Sequence, residues 1–285
     1  MNENSGDDDH GWFEGVGRGD LDAARNAIES GSAEAPADWP ERAVGTGFAE
    51  DEDDYYEALH EATVYATREE VRERELSDDK QLIHSIRAMA DCERTANELA
   101  ERVAEWGGSR HGESGSGVEY ARELAERAPE NRGDEALQSL AERTVGLADE
   151  ADELRTFIER TAPAVAPNLS ALAGPVLAAR LISLAGGLEP LAKQPSGTVQ
   201  VLGAEDALFA HLKGNAPSPK HGIIFTHEYV SGTRREERGS AARALAGKLS
   251  IAARVDHYSG ERKPELDAEL DERIERIRSR GGDAE

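Results

Sequence analysis

From Leu82 onward the apolar side chains fall at Leu82, Ile86, Met89, Cys92, Ala96, Leu99, Val103 and Trp106, in steps of three and four. That alternation keeps one face of an α-helix apolar for about seven turns. Ser77-Asp78-Asp79 supplies a capping signal at its start, and the glycine-rich run GGSRHGESGSG breaks it. A second stripe passes through Leu137, Leu140, Thr144, Leu147, Ala151, Leu154, Ile158 and Thr161. Glu and Arg crowd the positions beside both stripes. The pattern predicts an antiparallel coiled-coil arm over residues 77–165, with a pair of amphipathic helices in a globular bundle as the alternative.

The flanks read differently. Residues 1–10 are polar and acidic, and a disordered tail is expected there. Over 11–76 the pattern is mixed and predicts a small α/β domain. Asp20 caps a helix LDAARNAIES, and DYYEALHEATVYATREEVRERE is helical. Short extended pieces at Trp12–Val16 and Ala43–Phe48 are expected to pair in a sheet. Residues 166–260 are poor in charge and predict short helices: one begins at Pro175 and ends at Gly186-Gly187. TVQVLG is expected to be extended, Ala204 to Leu212 helical, HGIIF a buried extended turn, and Arg234 to Arg254 a long helix. Residues 261–285 are expected to form a charged, solvated helical tail. The chain is predicted to be mainly α.

Charge changes the picture. The 285 residues carry 33 Lys+Arg against 58 Asp+Glu, a net of −25. Only six of the cations are lysine. Abundant acid, scarce lysine and abundant alanine fit adaptation to molar intracellular salt, where the Debye length shrinks to ~3 Å. Total charge then says little about partners. Local charge says more: residues 166–260 hold 10 Lys/Arg against 7 Asp/Glu while every other segment is net acidic. A polyanion partner there is the simplest explanation. The single cysteine, Cys92, is a stripe residue and forms no internal disulfide. A reducing cytoplasm is the expected compartment. No run approaches the ~18 apolar residues of a membrane span, and the acidic start lacks the apolar stretch of a secretory signal.

Catalytic signatures are missing: no GxxxxGK[ST] loop, GxSxG elbow, HExxH or CxxC occurs. His211, His221 and His227 lie close in sequence, but their spacing puts no two on one helical face. No metal or other cofactor is expected. Lys220 and His221 follow Pro217 and Pro219, and Ile223, Ile224 and Phe225 are expected to anchor their loop in the core. A cation beside an imidazole on a stiff loop suits a phosphate contact plus base stacking; an ordinary surface loop is the bland alternative. In the helix after Arg234, residues Arg243 and Arg254 lie about 20° apart around the axis, with Lys248 and Arg235 beside them. This predicts a basic ridge. Arg238 is expected to face inward and pair with Glu236 or Glu237.

NLSALAGPVLAARLISLAGGLEPLAKQPSGTVQVLGAEDALFAHLKGNAPSPKHGIIFTHEYV followed by RGSAARALAGKLSIAARVD closely resembles the Nop domain of box C/D guide ribonucleoprotein core proteins of archaea. The likeness is nearly continuous over residues 166–260, and weaker but collinear over the arm and residues 55–75. It implies an all-helical Nop domain and a non-catalytic scaffold for RNA-guided ribose 2′-O-methylation. Implied partners are a box C/D guide RNA, a kink-turn-binding ribosomal-protein homologue, and fibrillarin at the N-terminal domain; S-adenosylmethionine would belong to fibrillarin. A second copy is implied at the coiled coil, whose seam would be Leu82, Ile86, Met89, Leu99, Val103, Leu140, Leu147, Leu154 and Ile158. Carried over by position, Gly203-Ala204-Glu205 matches the turn before a recognition helix. Lys220 and His221 match an RNA-facing loop, and Arg238, Arg243 and Lys248 a basic helix. Two departures remove expected cations: Asp206 and Ser240 stand where the family usually has lysine. The N-terminal domain and arm also look shortened.

Overall fold

The computed structural model describes residues 11–32, 35–112 and 115–279; the acidic tail expected over 1–10 lies outside them. The chain divides into two compact units at Ser77–Asp78.

The first unit holds α1 (Leu21–Ser30), α2 (Trp39–Gly45) and α3 (Glu52–Glu75). Each begins at an aspartate, Asp20, Asp38 or Asp51, whose carboxylate accepts a first-turn N–H. Trp12, Phe13, Phe48 and Tyr55 make an aromatic core of mostly edge-on contacts. The expected sheet is not there: residues 12–15 form turns, and Ala43 to Gly45 closes α2. The apolar residues that suggested strand pairing converge instead on this ring cluster, which satisfies their burial without a ladder.

In the second unit α4 (Asp78–His111) and α6 (Arg132–Val165) run antiparallel. Arg110 Nε donates to Asp134 Oδ1 at 2.6 Å at one end, and Arg155 donates to Glu93 at 2.6 Å further along. Their apolar stripes meet as predicted, but inside one chain. Leu82, Ile86, Met89, Val103 and Ile158 are buried, while Leu99, Leu140, Leu147 and Leu154 are half-buried. The side chains expected at a dimer contact thus pack within one hairpin, whose connection over 112–131 carries its own short helix. A short α5 (Gly117–Glu126) packs on the tip through Tyr120, Ala121 and Leu124. It is admitted by Gly107, where a Cβ would come within 2.7 Å of Leu124 Cδ1. Gly107 and Gly108 do not end α4, which runs on to His111.

Beyond the arm come α7 (Pro167–Ala173), α8 (Pro175–Ala185), α9 (Leu188–Lys193), α10 (Ser196–Val201) and α11 (Glu205–Leu212). A 3₁₀ turn (Ile223–Thr226), α12 (Glu228–Ser231), α13 (Arg238–Tyr258) and α14 (Glu265–Ser279) follow. TVQVLG is therefore helical rather than extended over most of its length. Val199 is buried and Val201 half-buried, and α10 packs against α13. The expected long helix starts four residues later, at Arg238. Its buried face is largely alanine: Ala241, Ala242, Ala246, Ala252 and Ala253, with Leu245 and Leu249. Small side chains let α7, α9, α10 and α14 close around it. The tail over Glu265–Ser279 is not merely solvated, because Leu266, Leu270, Ile274 and Ile277 recur at helical spacing and are buried in the main core. No single described helix is long and apolar enough to cross a membrane.

A buried carboxylate locks this part together. Asp256 accepts hydrogen bonds from Asn168 N (3.0 Å), Asn168 Nδ2 (2.7 Å) and Leu169 N (2.8 Å). It thereby satisfies the free N–H groups at the start of α7. Asn168 Oδ1 in turn accepts from Lys263 N at 2.6 Å, tying the approach to α14 into the same network.

Candidate nucleic-acid interface

The turn after α10 sets the geometry. Gly203 holds a φ of 80°, which a side chain disfavours, and its N–H donates to Glu205 Oε1 at 2.7 Å. A Cβ there would also lie 3.3 Å from both Ile223 Cβ and Leu184 Cδ1. Gly203-Ala204-Glu205 therefore closes on itself directly against the loop that carries Lys220. That loop is fastened to α10: Gly222 N donates to Gln200 O at 2.9 Å and Ile223 N to Leu202 O at 2.8 Å. Gln200 Nε2 adds a bond to Lys220 O at 2.7 Å. At Gly222 a Cβ would sit 2.0 Å from Leu202 O, so only glycine lets the two backbones meet.

Ile224 anchors the loop as expected and is fully buried. Phe225 does not; it remains 36% exposed. The tight 3₁₀ turn swings it outward, where it becomes a platform. The His221 ring stacks on it with centroids 4.6 Å apart and planes 19° from parallel. The Arg238 guanidinium lies 5.3 Å from the same ring centroid. Arg238 faces inward as expected, but its partners are backbone carbonyls, Thr233 O at 3.0 Å and Ser231 O at 3.3 Å, rather than Glu236 or Glu237. The stem of Lys220 runs past Gly239, whose Cβ would be 3.7 Å from Lys220 Cδ. One corner thus holds Lys220, His221, Phe225 and Arg238. Burial, then the positive charges of Arg238 and Lys220, hold the His221 imidazole below its ordinary range. At neutral pH it is an uncharged flat ring between two cations.

The predicted basic ridge is broken up. Arg243 is exposed, but Lys248 pairs with Glu269 on α14. Arg254 turns to Ala192 O at 3.1 Å and Gln194 O at 3.2 Å, at the end of α9. Arg235 precedes the helix. Helix α13 is not a lone cylinder: α9 and α14 lie against it and take up its cations. The three histidines serve separate local ends. His211 Nδ1 is 3.0 Å from Ala216 O, His221 stacks, and His227 Nδ1 accepts from Tyr229 N at 3.1 Å.

Two features escaped the sequence reading. Phe225 was assigned to the core because HGIIF is uniformly apolar after glycine. The α11 helix buries none of its residues, and leaves Phe209 58% and Leu212 71% exposed. The available signal was ALFAHL itself, which is apolar around most of its circumference on a segment too short to fill a core.

The family described as Nop, snoRNA binding domain, fibrillarin, matches residues 51–279. An uncharacterized NOP5 family protein of Methanocaldococcus jannaschii is 35% identical over 269 residues, covering 81% of this chain and 65% of that protein. Nucleolar protein 58 of Aspergillus clavatus is 34% identical over 215 residues, covering 62% of this chain and 36% of that protein. Human nucleolar protein 56 is 43% identical over 123 residues, covering 43% of this chain and 21% of that protein. The chain thus spans less than two thirds of the length of each. A solved fibrillarin/Nop5p complex contains a chain of similar fold, with a TM-score of 0.53 at 24% identity, covering 94% of this chain and 98% of that one.

Proposed function

Because the chain belongs to the Nop family, we propose that it is a non-catalytic scaffold of a box C/D guide ribonucleoprotein directing ribose 2′-O-methylation of rRNA and tRNA. In this reading the second unit grips a kinked guide RNA together with its kink-turn-binding protein. The first unit recruits fibrillarin, which brings S-adenosylmethionine. A second copy attaches along the arm, and it would meet the outer faces of α4 and α6, where Trp106 and Phe157 are exposed.

The observation that carries the reading is the corner at Phe225: a neutral imidazole stacked on an exposed ring, with a lysine and an arginine beside it. Cations meet phosphates, and a flat ring stacks on an unpaired base. The rigid fastening of the loop to α10 fixes these groups before the partner arrives, which lowers the ordering cost of binding. Cations here are few, and molar salt weakens counterion-release binding. Recognition therefore rests on shape, with the exposed Phe209 and Leu212 of α11 offering apolar surface for the protein half of a composite target.

The test is reconstitution at ~1 M salt, with labelled kink-turn RNA and the chain in the presence or absence of the kink-turn-binding protein. A mobility shift by the chain at markedly lower concentration when that protein is present supports the proposal. A shift on the kink-turn RNA alone as strong as that with the protein present would contradict the composite surface. No shift in either case would favour an interaction adaptor without RNA binding, a reading to which the Lys248–Glu269 pair lends support.

A further inference from the structure

The groove between α13 and α14 is a cleft of about 430 Å³, within the size range of small-ligand sites. Its lining includes Arg243 and Lys248 from α13 and Arg273 and Arg276 from α14, and no carboxylate. In a chain with 58 acids against 33 bases, four cations around one carboxylate-free hollow is a strong local inversion. None of the acids of α14 lines the cleft itself. Glu269 reaches Lys248 from outside the cleft, Asp271 accepts from the Tyr229 hydroxyl, and Asp267 pairs with Arg262. Among the described residues Arg243 and Arg273 make no ion pair. The other two cations are held by exposed acids, Glu269 at 59% and Glu272 at 70% side-chain exposure. Such surface pairs are weak and are readily exchanged for a better anion.

The cleft is also built to stay open. The buried residues Leu266, Leu270, Ile274 and Ile277 seat α14, while Arg273 and Arg276 lie on its exposed side. On α13 the floor is Gly247, where a Cβ would meet nothing within 4 Å, and Ile251 at 41% exposure provides an apolar wall. Guanidinium forks match phosphate oxygens in a way that a lysine does not. An apolar wall beside them suits a sugar or base.

We infer that the α13–α14 cleft is a second nucleic-acid contact, separate from the Phe225 corner, that takes a nucleotide phosphate through Arg243, Arg273 and Arg276. The ligand class rests on the RNA-binding reading above; the cleft and its charge do not. The helical tail then completes a binding surface instead of being a solvated appendage.

The test uses the full chain and a short fluorescein-labelled oligouridylate that has no kink-turn, followed by fluorescence anisotropy over a series of salt concentrations. Wild type binds, and R273E/R276E binds at least about tenfold more weakly, with a log–log salt slope shallower by about one to two. R273Q/R276Q falls between them, and circular dichroism checks that both variants remain helical. R94A/R102A, on the arm surface, leaves oligouridylate binding unchanged. Displacement by AMP identifies a free nucleotide as sufficient; displacement by unlabelled RNA alone identifies a strand. Failure of wild type to bind the probe, or equal binding by R273E/R276E, overturns the inference. If the kink-turn assembly still forms in that case, only the cleft fails. If the cleft binds but no kink-turn assembly forms, the scaffold reading fails instead.

Discussion

The arm and the globular end of the second unit use charge in opposite ways. Along α4 the charged side chains lie outside and pair locally, as Arg94 with Asp91 and Arg102 with Glu105, all highly exposed. Around α7 and α13 the decisive charge is inside: Asp256 is 7% exposed and accepts three hydrogen bonds. The arm holds together mainly by apolar periodicity, with the Arg110–Asp134 pair pinning its tip, and carries most of its acid as a wet coat. The globular end depends on a few polar groups that have single assigned places. Most of the acidity of this chain is therefore interchangeable, and a small number of charges are not.

The sharpest way to break that contrast is at Asp256. Asp256→Ala leaves two backbone N–H groups and one N–H of the Asn168 amide without their acceptor, and should cost about 4 kcal/mol in chemical denaturation. A loss below about 1 kcal/mol would mean that the network is not what closes α7 onto α13. Next comes the arm's own cohesion. Ile158 is fully buried, so Ile158→Ala should cost about 3 kcal/mol through lost burial and the cavity left behind. If the seam belonged to a dimer, that loss would depend strongly on protein concentration; here it should not.

A smaller effect follows from acid. Burial holds both His221 and His227 below the ordinary imidazole value. Below about pH 6.5 the unfolded chain binds more protons at these sites than the folded one, so stability falls as pH drops through that window. His227→Gln should flatten the decline of Tm between roughly pH 7 and pH 5; an unchanged decline would assign it elsewhere. Asp134, held down chiefly by its bond to Arg110, acts in the same direction but in the lower, carboxylate range. The smallest expected effect is on the arm surface: Arg94→Ala and Arg102→Ala should each change stability by less than about 0.5 kcal/mol.

The contrast also explains what could be read from the sequence. Strict steps of three and four made the arm helices legible, because one period repeated over many turns leaves no competing pattern. The loop residues Lys220 and His221 and the turn at Gly203 were legible through their resemblance to a known family, and the fastening around Gly222 and Gln200 gives that resemblance a physical cause. Three misreadings share one origin. The role of Phe225, the pairing of Lys248 and the capping by Arg254 depend on which element lies alongside. An angle around one helix carries no information about its neighbours. The burial of α14 was present in the spacing of Leu266, Leu270, Ile274 and Ile277, but six acids in the same segment concealed it. The aromatic cluster of the first unit was mistaken for a sheet because short apolar pieces do not distinguish a strand from a packed turn.

The central claim is that the Phe225 corner reads a composite of RNA and protein, and the most direct measurement is the affinity of K220A/H221A for the preformed kink-turn RNA–protein complex, against wild type at the same salt. Loss of one stacked ring and one phosphate contact should weaken binding by roughly 10- to 100-fold, with the helical content and Tm unchanged. Equal affinity of the two proteins would contradict the account and remove the corner from the interface.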